Sequence, residues 1–186
     1  KVRNQPENQI DALICSLYCN IALCQSNLGD AEKAFKSLNT ISAPVAADSK
    51  TYHFVYASII IQHTLSSQYD VAEQHLDRAL EIDDAYHRAF LLRQYLYALT
   101  SKVDCADNIN RLNEHFSSLI EESKDQGLIA DFYMQRGLIY QVGGDPVSSE
   151  KDFESALAYV SNSAVAKFNL LAAKYGQAVI KLPRDK

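Results

Sequence analysis

The sequence predicts an all-α chain built from antiparallel helix hairpins, and three observations carry that expectation. Apolar residues recur at three- and four-residue spacing along nearly the whole chain, which is the period of a helix, and the two-residue alternation of a half-buried strand is absent beyond chance. Only 6 Gly and 4 Pro occur in 186 residues, too few for the many turns of an all-β chain. The breaks that do occur fall at regular intervals and join successive segments by short links, and short links make neighbouring helices antiparallel.

Taken in order, the pattern predicts about nine helices, over 6–28, 30–41, 49–66, 69–82, 85–100, 103–124, 127–143, 146–160 and 163–181. In the first, Leu13, Leu17, Ile21 and Leu28 lie close to one stripe. Gly29-Asp30 then ends that helix and caps the next, Gly by reaching left-handed backbone angles and Asp by accepting from the amides that follow. Residues 42–50, "SAPVAADSK", read as the clearest loop. Val71, Leu76, Ala79 and Leu80 form the stripe of the fourth helix. Phe132, Tyr133, Leu138, Ile139 and Tyr140 form that of the seventh. "GGDP" at 143–146 repeats the Gly-Asp break, with Asp145 as cap and Pro146 at the first helical position, where its missing N–H costs nothing. "EIDDAYHRA" and "VSNSAVAK" are short turns.

The segments also resemble one another. Laying 130–157 over 53–80 puts Tyr133 on Tyr56, Gly137 on Ile60, Phe153 on Leu76, Ala156 on Ala79 and Leu157 on Leu80. Laying 16–41 over the same segment puts Tyr18 on Tyr133, Ala22 on Gly137, Gly29-Asp30 on Gly144-Asp145 and Leu38 on Phe153. Helices that cross at 8–10 Å need small side chains at the crossing and large ones in the gaps beside it.

This pattern resembles the tetratricopeptide repeat, a helix–turn–helix unit of about 34 residues. Ala22 and Gly137 match the small residue of its first helix, Ala34 and Ala72 the small residue early in its second, and Ala79 and Ala156 the alanine late in the second. Tyr69 fits the aromatic often found just after the turn. Units begin near 15, 53, 87 and 130, with a final helix from about 164, so the spacings are 38, 34, 43 and 34. The two long ones carry insertions, at 42–50 and along 103–124. The third unit departs most, with Gln94 where a small residue is expected, and Asp84 and Ser161 stand where the family often has Pro. The resemblance covers nearly all of 1–186. It implies a single domain, an α-solenoid wound as a right-handed superhelix.

Composition bounds the function. Net charge is −5, which gives no electrostatic reason to expect nucleic acid or anionic membrane as a partner. No apolar run approaches the roughly 18–20 residues of a membrane span. The chain starts at Lys1 with no signal-peptide pattern, so it is expected to be a cut or processed piece of a longer protein. Four cysteines, Cys15, Cys19, Cys24 and Cys105, are too few for a secreted disulfide scaffold and suit a reducing, cytoplasmic location.

Nothing in the sequence assembles a catalytic site. "VGGD" lacks the rest of a phosphate-binding loop and reads as a hairpin turn. His53, His63, His75, His87 and His115 include no i,i+4 pair and no HExxH. Cys15 and Cys19 share a helix face where two thiolates would reach one metal, but no fourth ligand is evident and packing at a helix crossing is the preferred reading. Asp83-Asp84 and Glu121-Glu122 sit at helix ends or on polar faces. No metal, no cofactor and no enzymatic activity are expected.

A binding role remains. In proteins with this repeat the first helix of each unit lines a concave groove. Carried over by register, the groove positions are Phe54, Ala57, Ile61 and Thr64, then Arg88, Leu91, Tyr95 and Ala98, then Asp131, Met134, Leu138 and Gln141. Phe54, Ile61, Leu91, Tyr95, Met134 and Leu138 would make the groove apolar, with Arg88 and Gln141 among its polar points. Such a groove suits an amphipathic helix or extended apolar peptide of a partner protein. The clamp by which some relatives hold chaperone C-termini needs Lys and Asn where this chain has Cys19, Leu23 and Ser58. The expected function is therefore a protein–protein interaction module, with a homodimer as a further option. The alternatives are the regulatory or signal-output domain of a larger sensor or transcription regulator, and a secretion chaperone.

Overall fold

The structure is a computed structural model. It describes residues 5–122 and 125–181, with side chains over 9–116 and 125–175. Among the described residues there are ten α-helices and no strand: α1 Gln5–Asn27, α2 Ala31–Leu38, α3 Ala43–Ala47, α4 Lys50–Gln62, α5 Tyr69–Ile82, α6 His87–Thr100, α7 Cys105–Glu122, α8 Gln126–Val142, α9 Pro146–Tyr159 and α10 Ala164–Lys181. The chain divides into two compact units, one ending at Arg93 and one starting at Gln94, and each is described by itself.

Two differences from the sequence reading lie near the first insertion. The expected loop at 42–50 contains the single helical turn α3, with Ser42 preceding it and Pro44 in its first turn, where a missing N–H is tolerated. The helix expected over 49–66 stops at Gln62 and is followed by a 3₁₀ turn, Ser66–Gln68.

The reason α4 stops there is a turn that recurs four times. Gly29 N–H bonds the carbonyl of Ser26 and Asp30 N–H that of Gln25. Thr64 and Leu65 do the same to Ile61 and Ile60, Ser101 and Lys102 to Ala98 and Tyr97, and Gly144 and Asp145 to Gln141 and Tyr140. In all four the first residue is left-handed, with φ of +87°, +50°, +54° and +79° at Gly29, Thr64, Ser101 and Gly144. This is the helix-ending turn in which a left-handed residue lets two amides fold back onto orphan carbonyls. Two of the four copies have no glycine, which is why the sequence announced only the other two.

In the unit ending at Arg93, Cys15, Cys19, Ala22, Ala34, Leu38, Ile41, Val55 and Ile59 form the buried core, with Tyr18, Phe35, Tyr52 and Tyr56 packed against it. Ser26 sits buried between α1 and α4, where its hydroxyl donates to Gln62 Oε1 at 2.7 Å. Asp30 caps α2 by accepting from Lys33 N–H at 2.9 Å. Ser49 caps α4 by accepting from Tyr52 N–H at 3.1 Å.

In the unit starting at Gln94, α8 packs along α9, and α9 along α10. Phe116 stacks on Phe132 with ring centroids 4.3 Å apart. Asp145 caps α9 as expected, accepting from Ser148 N–H, with Pro146 in the first turn. Arg136 of α8 donates Nε and a terminal nitrogen to the two oxygens of Asp152 on α9, at 2.8 and 2.7 Å.

The aligned positions of the sequence reading share a fate. Ala34, Ala72 and Ser149 are each fully buried, as are Leu38, Leu76 and Phe153. The divergent Gln94 is buried too, and among the described residues its side-chain oxygen meets no donor.

Candidate functional site

The eight expected groove residues do not share one environment. Ile61 and Leu91 are buried, at 6% and 1% exposure, so neither offers surface to a ligand. Phe54 is half-buried and meets Tyr86 edge-on, centroids 5.5 Å apart. Arg88 is exposed. Tyr95, Met134, Leu138 and Gln141 are half-buried and belong to the other unit. Thr64, also reached by register, is the left-handed residue of the second turn and lies outside α4.

The exposed large apolar side chains lie elsewhere and are concentrated on two helices. α1 presents Ile10, Leu13, Ile14 and Leu17, spaced as one face, with Leu13 at 70% exposure. Its opposite face carries the small residues Cys15, Cys19, Ala22 and Ser26, all buried. α10 has the same inversion: Ala166 and Ala173 are buried, while Val165, Phe168, Leu171 and Tyr175 face outward. Close helix crossing explains the inward face, because only small side chains fit there. It does not explain why the outward face is apolar instead of polar, as a solvated helix face would be.

An open cavity of about 790 Å³ lies on the side of α1 that carries Cys15, away from the stripe. Asp11, Ala12, Cys15 and Ser16 of α1 form one wall, the 44–51 segment with Asp48 and Ser49 a second, and Ile82 and Asp83 at the end of α5 a third. Its size falls in the range of ligand pockets. Three carboxylates line it against one cation, Lys50. That ammonium already donates to Asp83 and sits over the Tyr86 ring, 5.1 Å from its centroid. Lys50 holds the Asp83 carboxyl below the usual carboxylate range. Asp48 also lies 3.9 Å from the Arg78 guanidinium, and Asp11 is the third carboxylate of the lining. The expected groove positions include none of its residues, because one wall is the 44–51 segment, which the repeat register sets aside as an insertion.

Of the two core cysteines of α1, Cys15 reaches the cavity wall. Cys15 donates to Ser49 Oγ at 3.3 Å. Burial, reinforced by Cys15 beside it, pushes the Cys19 thiol up to about 12. The Cys19 thiolate, the form that a nucleophile or metal ligand needs, is thereby disfavoured. Among the described residues no group of three or more His, Cys, Asp or Glu is gathered that would hold a metal ion, and no helix is long and apolar enough to cross a membrane.

No protein-family model matches the chain, and no curated protein or solved structure does either.

Proposed function

We propose that the chain is a non-enzymatic protein–protein interaction module that receives an amphipathic helix of a partner on the outward face of α1. The observation that carries this reading is the inversion of α1. Leu13 and its neighbours on the stripe stand in water while the small residues of the same helix fill the core. Exposed apolar area of this kind is stabilised when a partner removes it from water, at about 25 cal/mol per Å² before the costs of association. The capture surface is thus the outward face of α1, with the groove positions Phe54, Tyr95, Met134 and Leu138 half-buried.

Fluorescence anisotropy with two labelled synthetic helices of the same composition, one amphipathic and one with its apolar residues scattered round the helix, tests this. The amphipathic helix should bind the more tightly, and Leu13→Asp should weaken it roughly tenfold or more. Equal binding of both helices, or binding indifferent to Leu13→Asp in a folded chain, overturns the reading.

A further inference from the structure

We infer that His53 and His75 form a binding site for a divalent late first-row transition-metal ion, held through both Nδ1 atoms. The site lies on the α4–α5 hairpin and is separate from helix capture at α1, which uses neither residue. The two nitrogens stand 2.8 Å apart. A bond from an imidazole nitrogen to such an ion is about 2.0–2.1 Å long, so two of them meeting at a right angle set the nitrogens roughly 2.9 Å apart. A right angle separates neighbouring ligands in the tetragonal geometry of Ni(II) and Cu(II). A tetrahedral ion such as Zn(II) needs roughly 3.3 Å and a slight opening of the pair.

The surroundings suit a pair of ligands. His53 Nε2 lies 3.3 Å from the Ala47 carbonyl. Metal-binding histidines are oriented in this way, one nitrogen donating to a backbone carbonyl while the other offers its lone pair. Tyr56 stacks on His75 and holds that ring from the side. The rings meet at 45° with centroids 5.0 Å apart. They therefore point nearly at each other, and each turns a little to aim at one ion, along an outer torsion that is broad in histidine. As the ion enters, the proton between the two Nδ1 atoms leaves His75 Nδ1 and is replaced by one at Nε2, so both ligands are neutral imidazoles. Burial holds both rings below their usual value, His75 at about 4 with His53 adding to the shift, so both are neutral at pH 7. Arg78 and Glu81 act on His53 with opposite signs. Two protein ligands leave the remaining positions to water, which reaches both half-buried rings.

Calorimetric titration of the full chain with Ni(II) alone, in a non-coordinating buffer, tests the site. One ion should bind per chain. His53→Gln and His75→Gln should each weaken binding by more than the roughly 10–100-fold that loss of an outer-shell partner costs, while His87→Gln leaves it unchanged. A solvated histidine pair would lose roughly tenfold in affinity between about pH 7.5 and pH 6; this pair should lose much less. Nitrogen-15 spectra of the wild-type chain give a reading free of any variant's folding: Zn(II) should move the Nδ1 signals of both His53 and His75. No binding of Ni(II) at millimolar concentration, a site that survives His53→Gln, or Nδ1 signals that Zn(II) leaves in place each overturns the inference.

Discussion

His53 and His75 face each other across the α4–α5 hairpin with Nδ1 to Nδ1 at 2.8 Å. Two ring nitrogens at that distance share one proton. The tautomers follow from a neighbour: His53 Nε2 lies 3.3 Å from the Ala47 carbonyl, which only accepts, so His53 carries its proton there and its Nδ1 accepts from His75. Tyr56 stacks on His75 with ring centroids 4.1 Å apart and closes the other side.

Acid should therefore destabilise the first unit. Burial first, and then His53, pull the His75 pKa down to about 4 from a usual value near 6.5. Burial likewise lowers His53, with Arg78 adding to the shift while the Ala47 carbonyl and Glu81 oppose it. Because the folded value lies below the unfolded one, the unfolded chain takes up the proton first. Stability is then complete above about pH 6.5 and falls as the pH drops toward 4. The expected loss is about 1–2 kcal/mol, reduced from the full linkage value because the ring keeps some solvent contact. Urea titrations across that range check it, and the His53→Leu, His75→Leu double variant should flatten the profile.

The Arg136–Asp152 pair should be costly to break from one side. Asp152 is 6% exposed on its side chain and accepts from Arg136 through both oxygens, while Arg136 also donates to Asn113 Oδ1 at 2.7 Å and lies over the Phe132 ring. Asp152→Ala leaves a partly buried guanidinium without its carboxylate and should cost about 3 kcal/mol. Asp152→Leu combined with Arg136→Met should cost clearly less, since no uncompensated charge remains. Thermal denaturation of the three chains gives the comparison; equal losses would contradict it.

Gly137 is glycine because Phe153 occupies its side-chain space. A Cβ at 137 would lie 2.7 Å from Phe153 Cε1. Gly137→Ala gains about 1 kcal/mol of helix propensity but must displace a fully buried ring, at about 1–3 kcal/mol. The net expectation is destabilisation, and Phe153→Leu in the same chain should recover part of it. A Gly137→Ala chain more stable than wild type would refute the close approach.

That pair also marks what the sequence could say. Gly137, Phe153, Ala34, Ala72 and the Asp30 and Asp145 caps were legible because each has a local reason that only a few residue types satisfy. For α1 the sequence pointed both ways: it placed Cys15, Cys19 and Ala22 at a helix crossing, where they are buried, and also lined up Leu13 and Leu17 as an apolar stripe, which is exposed. Crossing distance admits only the small side chains inward. The α3 turn and the cavity beside it arose in an insertion, where register carries no information. The candidate surface was therefore legible as a composition, in Leu13 and Phe168, but not as a place.

The remaining expectation concerns Thr64, the most demanding of the four turn residues. It holds φ +50°, a region that a β-branched side chain enters at a cost of about 1–2 kcal/mol. Gly29 and Gly144 occupy the same turn with no side chain to clash. Leu65 N–H still reaches the Ile60 carbonyl at 3.0 Å, so the turn is formed in spite of its residue, not because of it. Thr64→Gly removes the clash but adds unfolded-chain entropy, worth somewhat under 1 kcal/mol. The clash is the larger of the two, so Thr64→Gly should raise the melting temperature, and Thr64→Asn, which tolerates this region, should do so without the entropy cost. The same exchange at Ser101, φ +54°, should give a smaller gain, because serine is not β-branched with a methyl. A fall in melting temperature for both Thr64 variants would mean that the methyl or hydroxyl of Thr64 makes a contact worth more than the backbone strain it imposes.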